Sequence, residues 1–385
     1  MQTPKAWTDR GQHALMPQGG HDDAARFNAI ASLNTFLSAR IMPTVKAAFE
    51  HRASQGFRLR HGRDVATMAD VGEALAGDPA YQVWSTLRRN TMEMRQQAGR
   101  ALVLRQADTL AARAASLNAG SDRLQLDPRL DVPDYVAAGD QHLMPGGYAA
   151  ELFPGDVSNP ANYDAGIFAT LAGGAGPWSD LAGRSLAAWL KGAHPSFRPR
   201  RILDLGCGVG HNTLPLRAAY PDAEIIAIDV AAPMLRYGHA RARSLGVTDI
   251  TFRQADATRT DYATGSFDLV FTTMVLHETS REAVDAMFAE AFRLLAPGGL
   301  TVHLEQPPYR QFGPFEQFMR DWDGRNNNEP FWSELHRMSL PDALVAAGFD
   351  RAEVFEAEAG EPRAPGQAED FGRAPKWYIA GAWRR

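Results

Sequence analysis

The residues of this chain best placed to do chemistry are three glycines spaced two apart behind an aspartate. They lie in Ile202-Leu203-Asp204-Leu205-Gly206-Cys207-Gly208-Val209-Gly210-His211. Ile202 to Leu205 read as a short buried strand, and Gly206, Gly208 and Gly210 as a tight turn opening a helix. A side chain in such a turn would keep a ligand off the backbone. A turn at the carboxyl end of a parallel strand is where doubly wound sheets take nucleotide-like ligands. Glu224 to Ile228 read as a second buried strand ending in Asp229, whose carboxylate can accept both hydroxyls of a ribose. Alone, that acid indicates only an adenosine-type ligand. The remaining chemical residue is His277, after the apolar run that ends in Thr272-Thr273-Met274-Val275-Leu276. Neutral imidazole is the usual proton acceptor near neutral pH, and strand ends face the ligand crevice. A wall of the ligand pocket and a structural helix cap are the other readings of His277.

Spacing narrows the ligand. A dinucleotide fingerprint needs a glycine where His211 stands, and a phosphate-cradling P-loop needs Lys-Ser or Lys-Thr after its last glycine. Neither is present. The spacing Asp204-x-Gly206-x-Gly208-x-Gly210 resembles the first motif of class I S-adenosylmethionine-dependent methyltransferases. Further landmarks follow in that family's order. Asp229 ends the second strand, and Val230 to Leu235 open a helix. Phe252-Arg253-Gln254-Ala255-Asp256-Ala257 resembles the third motif, Ser266 to Thr273 the fourth strand, and Leu294-Leu295-Ala296-Pro297-Gly298-Gly299-Leu300 the turn before the fifth.

The resemblance implies an α/β fold: a doubly wound, seven-stranded, mostly parallel sheet whose last strand runs antiparallel. It implies S-adenosyl-L-methionine as cofactor, held by Asp204, Gly206, Gly208, Gly210, Asp229, Val230, Met234, Asp256, Ala257 and Thr273. Met234 would cover the adenine face, and Asp256 would bond the adenine amino group. Methyl transfer from a sulfonium is a direct displacement that needs position more than a nucleophilic residue. His277 would serve as general base for a hydroxyl acceptor. His211, next to the loop, reads as a cap or packing residue. His303 and Glu305 share a strand face and could reach the substrate side. They are too few for a metal site. The chain has Thr-Thr-Met-Val where amide and amino methyltransferases of the family carry Asn/Asp-Pro-Pro-Tyr/Phe. That departure argues against DNA adenine or protein glutamine as acceptor.

The elements that must position these residues are harder to read. With 385 residues the chain can build one large domain or two ordinary ones. Its 45% hydrophobic content suits a packed core. A net charge of -5 gives no general attraction to nucleic acid or anionic membrane. The lone cysteine, Cys207, excludes an intrachain disulfide and favours a reducing, cytoplasmic setting. Inside the loop it reads as a small side chain filling a turn. The first ten residues lack the apolar stretch of a secretion signal, and no run is long enough to span a bilayer.

Three regions are expected: a mainly helical domain over 1–125, for the substrate site or dimerisation; a Pro/Gly-rich connector and lid over 126–178; and the cofactor-binding domain over 179–385. Residues 1–22 read as a mobile lead-in. Phe27, Ile30, Leu33 and Leu37 follow helical spacing up to Pro43, which should end or kink the helix. A second helix runs from Pro79 to about Leu117, with Trp84, Leu87, Thr91, Met94, Ala98 and Ala101 on its buried face. Its arginines, among them Arg88, Arg89 and Arg95, read first as a solvated face, with phosphate binding as the alternative. His13, His21, His51 and His61 read as surface residues.

In the connector, Asp140 to Tyr148 is either an ordinary turn or a pocket lining. Asn326 to Glu329, with Trp322, Phe331 and Trp332, reads as an aromatic insertion covering the acceptor. Strands are expected over Leu300–Gln306, Arg351–Ala357 and Trp377–Trp383. The leading expectation is methyl transfer to a small organic acceptor, oxygen ahead of nitrogen or carbon, in a homodimer paired through the N-terminal helices. A protein or peptide acceptor docked on those helices, a binding fold without turnover, and a nicotinamide enzyme are the alternatives.

Overall fold

The computed structural model describes residues 4–137, 139–360 and 376–385. Eight strands form one sheet: β1 (Leu124–Gln125), β2 (Arg201–Leu205), β3 (Glu224–Asp229), β4 (Ile250–Gln254), β5 (Phe267–Thr273), β6 (Leu295–Glu305), β7 (Val354–Ala359) and β8 (Trp377–Trp383). Their order is β1-β4-β3-β2-β5-β6-β8-β7. The first six pair in parallel, and β8 inserts antiparallel between β6 and β7. The expected doubly wound α/β sheet is therefore present, with one strand more than seven. The extra strand is the two-residue β1, too short to carry an alternating pattern. The sequence also predicts a loop with Pro362 and Pro365 between the last two strands, and those residues lie outside the described ones.

The central strands are apolar on both faces because helices cover both. Ile202, Leu269 and Phe271 pack with Leu186 and Leu190 of the helix Leu181–Ala193 and Leu216 of the helix Thr213–Ala219. On the other face Leu203, Leu205 and Val270 meet Val284, Phe288 and Leu294 of the helix Arg281–Leu294. The chain leaves β2 toward β3 on one side and later returns to β5 on the other. The carboxyl end of β2 is thus the switch point where such sheets open a crevice.

The front of the chain departs from expectation in four places. Residues 4–20 are pinned rather than mobile. Trp7 stacks on Phe27 at 4.5 Å and its Nε1 donates to the Ala165 carbonyl, while Leu15 is fully buried. Pro43 does not end its helix: the stretch Leu37–Ile41 widens to a π turn just before it, and helix continues over Met42–Ala48. The long helix stops at Leu104, and a second runs Ala107–Asn118. Its buried face is also rotated from the one expected. Trp84 and Thr91 do face inward, but with Arg88, Arg95, Gln96 and Gly99, whereas Met94 and Ala101 are exposed. Apolar spacing misplaces the stripe because much of what this helix buries is polar.

The connector also holds a helix, Ser158–Thr170, masked in sequence by Pro160 and Gly166. It packs along the helix Pro79–Leu104, and a Cβ on Gly99 would fall 1.9 Å from Asn162 Oδ1. Leu37, Val71, Leu75, Trp84 and Met92 share a core with Phe315, Phe318, Met319 and Trp322 of the helix Pro314–Asn326. The N-terminal helices and the insertion before β7 are thereby one packed unit.

Candidate active site

The turn after β2 is built by backbone. Gly206 N and Cys207 N both donate to the Ile228 carbonyl of β3, at 2.8 and 3.0 Å. Gly206, Gly208 and Gly210 have φ of 77°, 52° and 76°, a region costly for any residue with a Cβ. At Gly206 a Cβ would also fall 2.3 Å from Val275 Cγ2. At Gly208 it would meet nothing within 4 Å and would project into the crevice. Gly208 N donates to Asp229 Oδ2, and Ala231 N to Asp229 Oδ1, both at 2.9 Å. The acid is thus fixed beside the loop. Burial pushes its pKa up, against those backbone donors.

Eight of the ten expected cofactor residues line this cleft: Gly206, Gly208, Asp229, Val230, Met234, Asp256, Ala257 and Thr273. Asp204 and Gly210 do not. Asp204 is buried beneath the loop, accepting from Thr213 Oγ1 at 2.6 Å, and burial raises its pKa to about 7. Gly210 lies against Phe252 and Leu214. Asp256 Oδ1 accepts from Thr258 N and Oγ1. Thr273 Oγ1 is buried without a partner at the cleft wall. A bare glycine backbone, a fixed carboxylate and an unanswered hydroxyl suit a nucleoside with polar edges. Cys207 fills the turn, and burial, with Asp229 and Asp204, holds its thiol well above its ordinary pKa.

A second cavity adjoins the cleft and shares with it Tyr148, Tyr163, His211, Asn212, Met274 and Glu278. Met274, on the seam, has φ 57° without being glycine. The segment Asp140–Tyr148 is a pocket lining after all: Gln141 and Tyr148 face the cleft, His142 and Tyr148 the second cavity. From the insertion, Asn327, Glu329 and Trp332 line the second cavity, as do Asn34, Arg88 and Arg95 of the N-terminal helices. The solvated-face expectation fails for Arg88 and Arg95, which are buried, and holds for Arg105, which is exposed and pairs with Asp23.

His277 lines the second cavity. Its Nδ1 lies 2.7 Å from Glu305 Oε2, and Glu305 Oε1 accepts from Leu276 N at 2.8 Å. Nε2 is left 3.7 Å from Glu278 Oε1. The ring meets Trp332 edge-on at 5.1 Å. Burial opposes charge on this ring, but Glu305 foremost, then Glu278 and Glu329, hold its pKa up at about 9. His142 is clasped by Glu278 and Glu329, at 2.7 and 3.2 Å. Against burial, those two carboxylates raise it to about 10. Tyr148 donates its hydroxyl to Glu278 Oε1 at 3.0 Å. Glu278 Oε2 and Glu329 Oε2 are buried and unpartnered.

Several expectations resolve differently. His303 does not reach a cavity. It is wholly buried, between Thr272 Oγ1 and Thr301 Oγ1 at 2.9 and 3.0 Å, and burial lowers its pKa to about 3. His13 is no surface residue: it and His211 bind the two oxygens of Asp164 at 2.8 and 2.7 Å, and Tyr237 donates to the same carboxylate. His21, His51 and His61 are exposed. Sequence reasoning missed Asp164 and His142 as a charged residue, which nothing in their local pattern marks, and named Arg95 only within a helix face read first as solvated. Glu305 was marked by its alternation with His303 and His277 by its place after the fourth strand, but their pairing was not.

A family model described as a methyltransferase domain matches residues 202–299. The demethylmenaquinone methyltransferase of Thermus thermophilus is 37% identical over 110 residues, 29% of this chain and 49% of that protein. The malonyl-[acyl-carrier protein] O-methyltransferase of Legionella pneumophila is 31% identical over 153 residues, 39% of this chain and 50% of that protein. The chain thus spans about half the length of these relatives. Among solved structures, a geranyl diphosphate C-methyltransferase from Streptomyces coelicolor aligns with a TM-score of 0.38 and 14% identity, over 52% of this chain and 78% of that one. Residues 202–299 form a methyltransferase domain of the class I, S-adenosyl-L-methionine-dependent kind.

Proposed function

We propose that this chain methylates a small organic acceptor bound in the second cavity, at oxygen in preference to nitrogen or carbon. The observation that carries the reading is the seam at Met274 and Glu278, where the cofactor cleft and a second cavity share a wall, with His277 lining the second cavity. The relatives named as small-molecule or carrier-bound methyltransferases support the substrate class. When bound, S-adenosyl-L-methionine supplies an activated methyl on a sulfonium. Asp229 would hold the ribose, Asp256 the adenine edge, and Thr273 the unfilled hydrogen bond at the wall. The glycine turn would let the ligand lie on backbone.

On the acceptor side, His277 takes the proton of a hydroxyl at Nε2, the nitrogen that Glu305 leaves free. Glu305 is a positioning residue: it fixes the ring and raises its basicity. The ring must be neutral to accept that proton, so turnover should rise with pH toward about 9. The unpartnered oxygens of Glu278 and Glu329 put surplus negative charge beside the seam, where it favours a cationic sulfonium.

The N-terminal helices shape the acceptor site in this reading, since Asn34, Arg88 and Arg95 line it. Pairing of two copies through the same helices is supported by exposed Leu59, Val83 and Met94, and gel filtration tests it. A cytoplasmic setting draws support from the single, buried Cys207. Among the described residues, no helix is long and apolar enough to cross a membrane. Calorimetry with S-adenosyl-L-methionine tests the cofactor half of the proposal. Small-molecule extracts, scanned for a gain of one methyl with and without the protein, test the acceptor half. Tight nicotinamide binding in place of S-adenosyl-L-methionine would refute both.

A further inference from the structure

Among its described residues, the second cavity holds one cation with no carboxylate paired to it. Arg95 is 7% exposed and lines the cavity from the helix Pro79–Leu104. Its guanidinium lies against the helix Ser158–Thr170 so closely that a Cβ on Gly166 would fall 2.5 Å from its Nε. That Nε has no hydrogen-bond partner. Nη2 reaches the Tyr163 carbonyl at 3.5 Å, the outer limit of a hydrogen bond. Among the described residues, no carboxylate forms an ion pair with it. Burial lowers its pKa to about 10, with only Tyr163 and Tyr148 raising it, so it stays charged at neutral pH. Arg88, seven residues earlier on the same helix, shows the contrast: it pairs with Asp323 at 2.9 Å and donates to Asn34 Oδ1. A buried cation without a counter-charge is a heavy burden on a fold. A ligand that brings the counter-charge relieves it.

We infer that Arg95 anchors a carboxylate of the acceptor, which gives the substrate class as a small organic acid. This rests on reading the second cavity as the acceptor site. The charge count favours a carboxylate over a phosphate. Asp323 already neutralises Arg88, so the anchor offers one positive charge, enough for a monoanion and too little for a dianion. The planar guanidinium also matches a carboxylate in shape. Two carboxylates elsewhere in the lining set orientation. Glu278 and Glu329 clasp His142, Glu278 also lies 3.7 Å from His277, and each keeps one unpartnered oxygen there. An acid would be repelled from those carboxylates and would turn its anionic end to Arg95.

The test is thermal unfolding of the full chain saturated with S-adenosyl-L-homocysteine. The probes are benzoate and butanoate, their neutral amides, and phenyl phosphate, at equal ionic strength. The acids should raise Tm in the wild type, the amides should not, and phenyl phosphate should act more weakly. In Arg95→Met the apparent Kd for the acids should rise about tenfold or more. Arg95→Lys should keep part of the effect, and it carries the test if the methionine variant does not fold. Equal acid shifts in Arg95→Met, amides matching acids, a shift with phenyl phosphate alone, or no shift with either acid would each overturn the inference. S-adenosyl-L-homocysteine alone should stabilise all three proteins. Failure of that shift strikes the cofactor reading and is seen separately.

Discussion

The two cavities that meet at Met274 are built in different ways. The cofactor cleft is made largely of short consecutive segments: a glycine turn, the ends of β3, β4 and β5, and acids fixed by backbone amides of those same segments. The second cavity is made of side chains from residues as far apart as Asn34 and Trp332. A site made of backbone can be read from a motif of a dozen residues. A site made of distant side chains depends on packing that no local pattern records. The first tolerates change around it as long as its turn survives, while the second is sensitive to any shift in the helices that assemble it.

Breaking each side in turn sharpens the contrast. The largest effect is expected from His277→Ala. Turnover should fall about 10²–10⁴-fold while the calorimetric Kd for S-adenosyl-L-methionine stays put. Unchanged turnover would remove His277 from the chemistry. Next comes Asp229→Ala, which should weaken cofactor binding about 100-fold through lost charge-assisted hydrogen bonds. If Kd moves by less than about threefold, the acid does not hold the ligand.

Glu305→Gln gives a smaller and more diagnostic change. Glu305 is the first of the groups that hold His277 up at about 9, the others being Glu278 and Glu329. Without it the imidazole loses its proton at lower pH, so the rising limb of the kcat/KM profile should move to lower pH. A limb that stays in place would mean that another group titrates.

The smallest effect belongs beneath the glycine turn. Asp204 titrates near 7 in the fold and below 4 when unfolded, because burial penalises its charge. Above the unfolded value it therefore lowers stability, and increasingly so up to about pH 7. Asp204→Asn should raise Tm by a few degrees at pH 8, and the gain should vanish near pH 4. An equal gain at both pH values would show that charge is not the cause.

Legibility followed the same division. The strands around β2–β6 were visible because parallel strands buried on both faces are plain apolar runs, and the turns between them carry glycine or an acid. The last hairpin was visible in outline. The second cavity was visible only in fragments: His277 at a strand end, the aromatic insertion, and the polar stretch around His142. What hid the rest is that the helix Pro79–Leu104 buries Arg88, Arg95 and Gln96. Hydrophobic periodicity assigns such residues to water, so the stripe was drawn through Met94 and Ala101 instead. The helix Ser158–Thr170 was hidden by its proline and glycine, the latter present because Arg95 lies against it. Trp7 and His13 escaped notice because their partners, Ala165 and Asp164, are about 150 positions away.

The carboxylate of Asp164 is gripped from two directions, by His13 near the chain's front and by His211 at the edge of the glycine turn. The opening stretch therefore works as a strap drawn across the back of the nucleoside seat. Trimming it away would leave a sealed-in anion short of a donor and slacken the ring beside the turn, so damage some two hundred positions upstream would be felt as weaker cofactor grip.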